Sequence, residues 1–213
     1  LFSDEMAKRQ LAYLFIDEAG QVALANLVGA GTAARNIVLL GDQMQLGQPI
    51  QGVHPGRSGE SALDYLLNGV ATIPPDRGIF LATTWRLHPD ICWFISDAVY
   101  DGRLLPEKDN VRRQLVVDAS SHPVLKASGI VFVPIHHEGC SQSSREEAEL
   151  IRDVYANALQ QRYTDKAGRE HPVGLEDILV VAPYNVQVNL LAHTLPRGAR
   201  VGTVDKFQGQ EAP

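Results

Sequence analysis

The sequence has little cysteine, with two residues among 213, Cys92 and Cys140. Two are too few for a disulfide scaffold, so the composition predicts a reducing compartment: a bacterial-type cytoplasm, or the nucleus or cytosol of a eukaryote. Cys92 stands among apolar residues and is predicted to be a small core residue. Cys140 follows His136 and His137, but no matching pair completes a zinc site, so a polar loop is the favoured interpretation.

Long hydrophobic runs are also missing. The longest, such as 37–40 and 178–182, fall far short of the roughly 20 residues that a membrane span needs, so no membrane partner is expected. The sequence shows no basic-then-apolar leader and no initiator Met, from which we expect that it begins at a cut. Its 45% hydrophobic and 21% charged residues exclude a disordered, collagen-like or coiled-coil chain.

An excess of positive charge is the third absence. Lys and Arg number 19 against 25 Asp and Glu, which gives a formal net charge of −6. A strongly basic domain would indicate nucleic acid, and this composition does not. It does not exclude nucleic acid either, because a cleft can be positive in a mildly acidic chain.

What the sequence does contain is an alternation of short apolar runs and amphipathic stretches. The runs are rich in Val, Ile and Leu, as strands buried on both faces are; they cover 13–16, 36–40, 79–82, 130–135, 177–182 and 200–204. Helical spacing predicts a helix over 146–163, with Ser144 and Glu147 as its capping box. The pattern predicts an α/β fold with parallel sheets covered by helices, and a boundary near 83–88.

Polar side chains follow several of these predicted strands. Asp17 and Glu18 come after the first, where a carboxylate can hold the water shell of Mg²⁺ and its neighbour can accept a proton from water. The alternative is that both charges stabilise the start of a helix. The second strand ends at Gly41-Asp42, followed by Gln45, which could donate to a phosphate oxygen and accept from water; alone, Gly-Asp is a turn signal.

Three later segments repeat this arrangement. Trp85 and Arg86 follow a strand, where they could stack on a base and pair with a phosphate; a buried Trp beside a surface Arg is the alternative. Residues 180–187 and 201–211 are each a strand followed by a polar turn. Because ligands bind at the carboxyl ends of strands in α/β sheets, we expect all five segments to form one shared rim.

In this order the five segments resemble motifs II, III, IV, IVa and V of the superfamily 1 helicases, AAA-type P-loop enzymes. The nearest branch is the nonsense-mediated-decay and senataxin-like one. The motifs read Asp-Glu-Ala-Gly-Gln (17–21), Gly-Asp-Gln-Met-Gln-Leu (41–46), Trp-Arg-Leu-His-Pro (85–89), Pro-Tyr-Asn-Val-Gln (183–187) and Val-Asp-Lys-Phe-Gln-Gly-Gln-Glu (204–211). The resemblance covers almost the entire chain.

The resemblance implies roles for individual residues, with ATP and Mg²⁺ as cofactors. Asp17 would hold Mg²⁺ and Glu18 would activate the hydrolytic water. Gln45 would sense the γ-phosphate. Arg86 would neutralise charge on the γ-phosphate from a second lobe, and Trp85 would stack on adenine.

Weaker assignments follow from the last two motifs. Gly209 and Glu211 would contact the phosphate and ribose side of the nucleotide. Thr203 and Tyr184 would contact the backbone of single-stranded DNA or RNA, or support the lobe. The implied architecture is two incomplete RecA-like lobes, 1–84 and 85–213, the second ending before the arginine motif.

The sequence departs from the family pattern in two ways. Trp85 stands where Tyr is usual and Leu87 where Met is usual, which keeps a stacking face and an apolar side chain. The 213 residues contain no Gly-x-x-x-x-Gly-Lys-Ser/Thr loop. We therefore expect an inactive middle portion of a larger helicase, with any nuclease domain elsewhere. The alternatives are an ATPase that remodels nucleoprotein without unwinding, and a non-catalytic interaction module.

Overall fold

A computed structural model describes residues 8, 10–47, 52–210 and 212. It divides into two compact units. The first takes residues up to Phe80 together with Ala98–Arg103, and the second takes Leu81–Asp97 and the chain from Leu104 onward. In the described residues, helices occur together with short parallel strand pairs, which confirms the α/β class. The assignment of 1–84 and 85–213 to RecA-like lobes stays a prediction.

The first unit is built on a parallel strand pair with a helical connection. Strand β1 (Leu11–Ile16) pairs with β2 (Ala34–Leu39) in parallel, and α1 (Leu24–Gly31) lies between them in sequence. Helix α2 (Ala62–Leu67) follows, and the Ser61 hydroxyl caps it by accepting from the amide N–H of Asp64 at 3.1 Å.

Within its described residues, the second unit has three separate small sheets. The elements that follow in chain order are β3 (Thr83–Thr84), α3 (Pro89–Val99), β4 (Leu105–Pro106), β5 (Gln114–Val116), α4 (Arg145–Ala158), β6 (Arg162–Thr164), β7 (Glu170–Pro172), β8 (Leu179–Val181), α5 (Asn185–Thr194), β9 (Arg200–Gly202) and α6 (Val204–Phe207); the last two residues of α3 belong to the first unit. Strands β3 and β4 pair in parallel, as do β8 and β9, whereas β5, β6 and β7 form an antiparallel sheet. The core packs α4 and α5 against β8 and β9, with Leu191 and Ala148 fully buried.

The helix predicted over 146–163 is wrong in its last five residues. Helix α4 ends at Ala158, and Arg162–Thr164 instead form strand β6, paired with β7. Tyr163 and Thr164 favour strands, and the following turn contains Gly168 at φ 78°, which lets the chain reverse. Only half of the predicted capping box is present: the Ser144 hydroxyl accepts from the Glu147 amide at 3.1 Å, but the Ser144 amide donates to Gln187 Oε1 and not to the Glu147 side chain.

Two other predicted strands are wrong or shortened. Residues 79–82 do not form a strand. The Ala82 carbonyl, just before β3, accepts a hydrogen bond from the Leu105 amide, at 2.7 Å. The pairing ends at the Glu107 amide, which donates to the Thr84 carbonyl at 3.0 Å. Residues 130–135 form no strand in the described chain, and Pro134 lacks a donor there. Residues 132–135 line an apolar cavity of about 790 Å³ together with α4 and β8.

Two other predictions concern burial and membranes. Cys92 is fully buried, which confirms it as a core residue, and burial raises the pKa of its thiol. In the described ranges no helix is both long enough and apolar enough to cross a bilayer.

Candidate nucleotide-binding site

The first two motifs meet at one edge of the first unit. Because β1 and β2 are parallel, with Ile16 opposite Leu39, Asp17-Glu18 and Gly41-Asp42 leave the sheet at the same edge. Backbone hydrogen bonds continue past the strands, from the Leu40 amide to the Ile16 carbonyl at 2.8 Å and from the Ala19 amide to the Leu40 carbonyl at 2.9 Å. The sequence-predicted juxtaposition of these two segments is therefore present.

Glycines allow the two turns to approach so closely. A Cβ on Gly20 would lie 2.6 Å from the Asp42 carbonyl oxygen, and one on Gly41 would lie 2.7 Å from the Ala19 nitrogen. Backbone atoms cannot yield as a flexible side chain can. Any larger residue at either position would push the Asp17-Glu18 turn away from the Asp42 turn.

Asp17 and Glu18 are both exposed at this edge. Glu18 has a left-handed backbone, φ 50° and ψ 41°, which is uncommon for a residue with a side chain. Its amide N–H donates to Asp17 Oδ1 at 3.0 Å. Strained backbone of this kind concentrates at functional sites, and here it fixes how the two adjacent carboxylates leave the strand.

Gln45 is exposed nearby, and its amide is held. Its Nε2 donates to Asp42 Oδ2 at 2.9 Å, while Asp42 Oδ1 accepts from the Met44 amide at 2.9 Å. The neighbouring Gln43 donates to the carbonyls of Val70 at 2.9 Å and Ala71 at 2.7 Å, which fastens the loop to the unit. The structure thus brings Asp17, Glu18 and Gln45 to one edge.

Trp85 and Arg86 lie in the second unit, in the bend after β3, and both are exposed. Trp85 is 64% exposed, so it is not a core residue. The Lys166 ammonium lies 4.7 Å from the centre of the Trp85 ring, within cation–π range. Lys166 also pairs with Glu107 at 2.6 Å, and that hydrogen bond lowers the pKa of Glu107.

Asn110 stabilises this bend through hydrogen bonds. Its role was not predicted from the sequence. It is fully buried, and its Nδ2 donates to the carbonyls of Thr84 at 3.3 Å and Leu87 at 3.1 Å, on either side of Trp85 and Arg86. The polar stretch 106–123 gave no periodic signal for a buried side chain. An Asn in a stretch that also contains Lys108, Asp109 and Arg112 resembles a surface residue in sequence.

The last two motifs meet at the β8–β9 pair. Val181 lies opposite Gly202, and the Ala182 amide donates to the Gly202 carbonyl at 3.1 Å. Tyr184 and Thr203 then occupy the positions that precede α5 and α6. Tyr184 is 48% exposed.

Gln187 is a second residue that the sequence reasoning left without a role. It is buried, and its Oε1 accepts from the Ser144 amide at 2.9 Å while its Nε2 donates to the Ser144 carbonyl at 3.2 Å. A side-chain amide thereby pairs with both backbone groups of the residue that caps α4. This contact ties the Pro-Tyr-Asn-Val-Gln motif to the N-terminus of α4.

Two predicted nucleotide contacts, Gly209 and Glu211, lie near the end of the chain. Gly209 has φ 74°, where glycine is favoured, and Glu211 lies outside the described residues. The five motifs group as two at β1–β2, one at β3 and two at β8–β9, so a single rim of all five stays a prediction. Across the described part of the chain, no group of three or more His, Cys, Asp or Glu could hold a metal ion, including around Cys140.

A family model described as an AAA domain matches residues 60–213, well over half of the chain. The chain belongs to this AAA-domain family and, with its relatives named as helicases, to superfamily 1. The match includes the motifs at 85–89, 183–187 and 204–211. The α/β class and the parallel strand pairs that carry the motifs agree with it.

Curated relatives extend the similarity over nearly the whole chain. It is 27% identical to the DNA polymerase alpha-associated DNA helicase A of Schizosaccharomyces pombe, covering 98% of this chain and 32% of that protein. It is 25% identical both to the DNA replication ATP-dependent helicase/nuclease JHS1 of Arabidopsis thaliana and to the regulator of nonsense transcripts 1 homolog of Neurospora crassa. Each covers 97% of this chain, but this chain spans 16% and 19% of them.

Proposed function

We propose that this chain forms part of an ATP-dependent helicase or translocase that couples ATP hydrolysis to movement along single-stranded DNA or RNA. One observation carries the proposal: in a chain of the helicase family, Asp17, Glu18 and Gln45 share one edge of a parallel strand pair. A non-catalytic interaction module is disfavoured, because it has no use for a water-activating carboxylate on a strained turn.

The proposed chemistry is phosphoryl transfer from ATP to water. The water oxygen bonds to the γ-phosphorus, the bond from that phosphorus to the bridging oxygen breaks, and Glu18 takes the proton. Asp17 is an exposed oxygen donor of the type Mg²⁺ prefers, and it would hold the ion directly or through its waters. Bound Mg²⁺ would offset phosphate charge. Gln45 would hydrogen-bond to the γ-phosphate.

The residues of the later motifs have proposed roles of their own. Arg86 would offset γ-phosphate charge and Trp85 would cover one face of adenine, with Gly209 and Glu211 at the phosphate and ribose. Tyr184 and Thr203 are proposed contacts for the nucleic-acid backbone or supports for the unit. A phosphate-binding loop would come from sequence beyond these 213 residues, as would any nuclease activity of the kind in the name of the Arabidopsis relative. We also propose that the protein works in a reducing compartment, either a bacterial-type cytoplasm or the nucleus or cytosol of a eukaryote.

An ATPase that remodels nucleoprotein without unwinding is the second candidate. The test uses the longer protein to which we assign this chain, with ATP hydrolysis measured in the presence of single-stranded DNA, single-stranded RNA or neither. Strand separation is measured on a duplex with one single-stranded tail. Stimulated hydrolysis with unwinding supports the helicase, and stimulated hydrolysis without unwinding supports the remodelling enzyme. ATP turnover that neither nucleic acid stimulates would contradict both.

A further inference from the structure

Asp42 is the centre of a hydrogen-bond network beside Gln45. Its Oδ2 accepts from the Tyr100 hydroxyl at 2.5 Å and from Gln45 Nε2 at 2.9 Å, and its Oδ1 accepts from the Met44 amide at 2.9 Å. Tyr100 is far away in sequence but belongs to the same compact unit. The motif that carries Gln45 is therefore held by a residue from outside it.

The charge of Asp42 decides which way the Gln45 amide points. An ionised carboxylate only accepts hydrogen bonds, so Gln45 must turn its NH₂ group toward Asp42. Its Oε1 then points away from the Asp42 carboxylate. Without that constraint the two ends of an amide are nearly equal in shape, and the group can rotate by a half-turn.

Tyr100 in turn is anchored. Its ring packs against Phe80 with centroids 6.2 Å apart, and its carbonyl accepts from the Arg103 amide at 2.9 Å. The next residue, Asp101, accepts from the Thr72 hydroxyl at 2.8 Å. Burial, and then the hydrogen bond to Asp42, raises the pKa of Tyr100 above its ordinary value, so the hydroxyl remains a donor at neutral pH.

We propose that Tyr100 and Asp42 are positioning residues that fix the orientation of the Gln45 amide for its contact with the γ-phosphate. The inference rests on the proposed function, in which Gln45 makes that contact. Tyr100 holds Asp42 in place, and Asp42 presents one fixed acceptor to Gln45. Loss of the Tyr100 hydroxyl would leave the carboxylate and the amide free to turn.

The test measures kcat, ATP affinity and melting temperature in the longer protein for Tyr100→Phe, Gln45→Ala and the double variant. Tyr100→Phe removes one hydroxyl and keeps the ring against Phe80. We expect kcat to fall about tenfold, as for one hydrogen bond to a charged group, with ATP affinity within about twofold. In the Gln45→Ala background, Tyr100→Phe should have no further effect, because the group it positions is gone.

Tyr155→Phe is the matched control. The Tyr155 hydroxyl is buried and makes no hydrogen bond within the described residues, so its removal should leave kcat unchanged. Asp42→Asn should lower kcat like Tyr100→Phe, because an amide accepts either orientation of Gln45. If Gln45→Ala keeps the kcat of the parent, the proposed function itself is wrong. If Gln45→Ala lowers kcat but Tyr100→Phe does not, or the two losses simply add, the positioning role is wrong.

Discussion

At the scale of single residues, Trp85 shows how exposure separates a packing role from a binding role. Its ring is 64% exposed and faces the Lys166 ammonium on one side. A core tryptophan would lose most of that exposure. Instead, hydrogen bonds from Asn110 hold the backbone of the bend that carries Trp85. The position of the ring therefore depends on this backbone and not on burial of the side chain.

Trp85→Ala in the longer protein should weaken ATP binding about tenfold or more. Stacking of a base on an aromatic ring is worth about 1–3 kcal/mol, and the substitution removes the ring. Trp85→Tyr should restore most of the affinity, because the ring face is kept. GTP binding, where it occurs, should suffer similarly, since stacking reads little of the base edge.

Nucleotide affinity and melting temperature are measured together for these variants. Trp93→Ala, at a 48% exposed position on α3, is the control and should leave ATP affinity unchanged. A large drop in melting temperature for Trp85→Ala, with ATP affinity unaltered, would make Trp85 a packing residue and end the adenine assignment.

At the scale of elements, the β6–β7 hairpin is joined to the bend at Trp85 through one ion pair. Lys166, in the turn between these strands, reaches both the Trp85 ring and Glu107. Glu107 directly follows β4, and its amide donates to the Thr84 carbonyl at 3.0 Å. The pair therefore links the antiparallel sheet to the segment that carries Trp85 and Arg86.

The Glu107–Lys166 pair predicts a pH-dependent stability. Its hydrogen bond lowers the pKa of Glu107 in the folded chain, so the folded state binds fewer protons than the unfolded state in the acid range. The contribution is present above the unfolded pKa of Glu and is lost as the pH falls through the folded pKa. Glu107→Gln should therefore lower the melting temperature near pH 7, and the difference from the parent should vanish in acid.

Thermal unfolding at a series of pH values checks this expectation, with Glu149→Gln on the exposed face of α4 as the control. Glu149→Gln should show no comparable pH-dependent difference. A constant difference between Glu107→Gln and the parent at neutral and acid pH would show that packing, and not the charge of Glu107, carries the effect.

The elements also show what local sequence can and cannot predict. Strands β1, β2, β8 and β9 were predicted because each is a run of apolar residues, a pattern that the sequence records directly. Burial on both faces is wrong for β1 and β2, which are largely exposed, with Tyr13 at 59% and Phe15 at 65%. The end of α4 was misplaced because helical spacing continues into Tyr163, while pairing with β7 decides the outcome. A local sequence pattern does not determine which strands pair or in which register they pair.

The site divides in the same way. The motif residues were found because polar groups at strand ends are visible as a pattern. Asn110 and Tyr100 were missed because their importance lies in contacts 26 and 58 positions away, to Thr84 and Asp42. Only the folded chain brings such partners together.

At the scale of the whole molecule, the 213 residues by themselves should not hydrolyse ATP at an appreciable rate. Without a phosphate-binding loop, the β- and γ-phosphates lose most of the positioning that phosphoryl transfer requires. Steady-state phosphate release from the purified chain, with Mg²⁺ and single-stranded DNA or RNA, measures this. Robust Mg²⁺-dependent turnover would contradict the expectation that further sequence completes the site.

The central claim is that Asp17, Glu18 and Gln45 form part of the site at which the longer protein hydrolyses ATP. It is tested most directly by Glu18→Gln in the longer protein, which keeps the size of the side chain and removes the proton acceptor. We expect nucleic-acid-stimulated turnover to fall by about 10²-fold or more, as for a positioned base, with ATP affinity preserved and Glu149→Gln behaving like the parent. Turnover of Glu18→Gln at the rate of the parent would contradict the account and reduce Glu18 to a charge at a helix start.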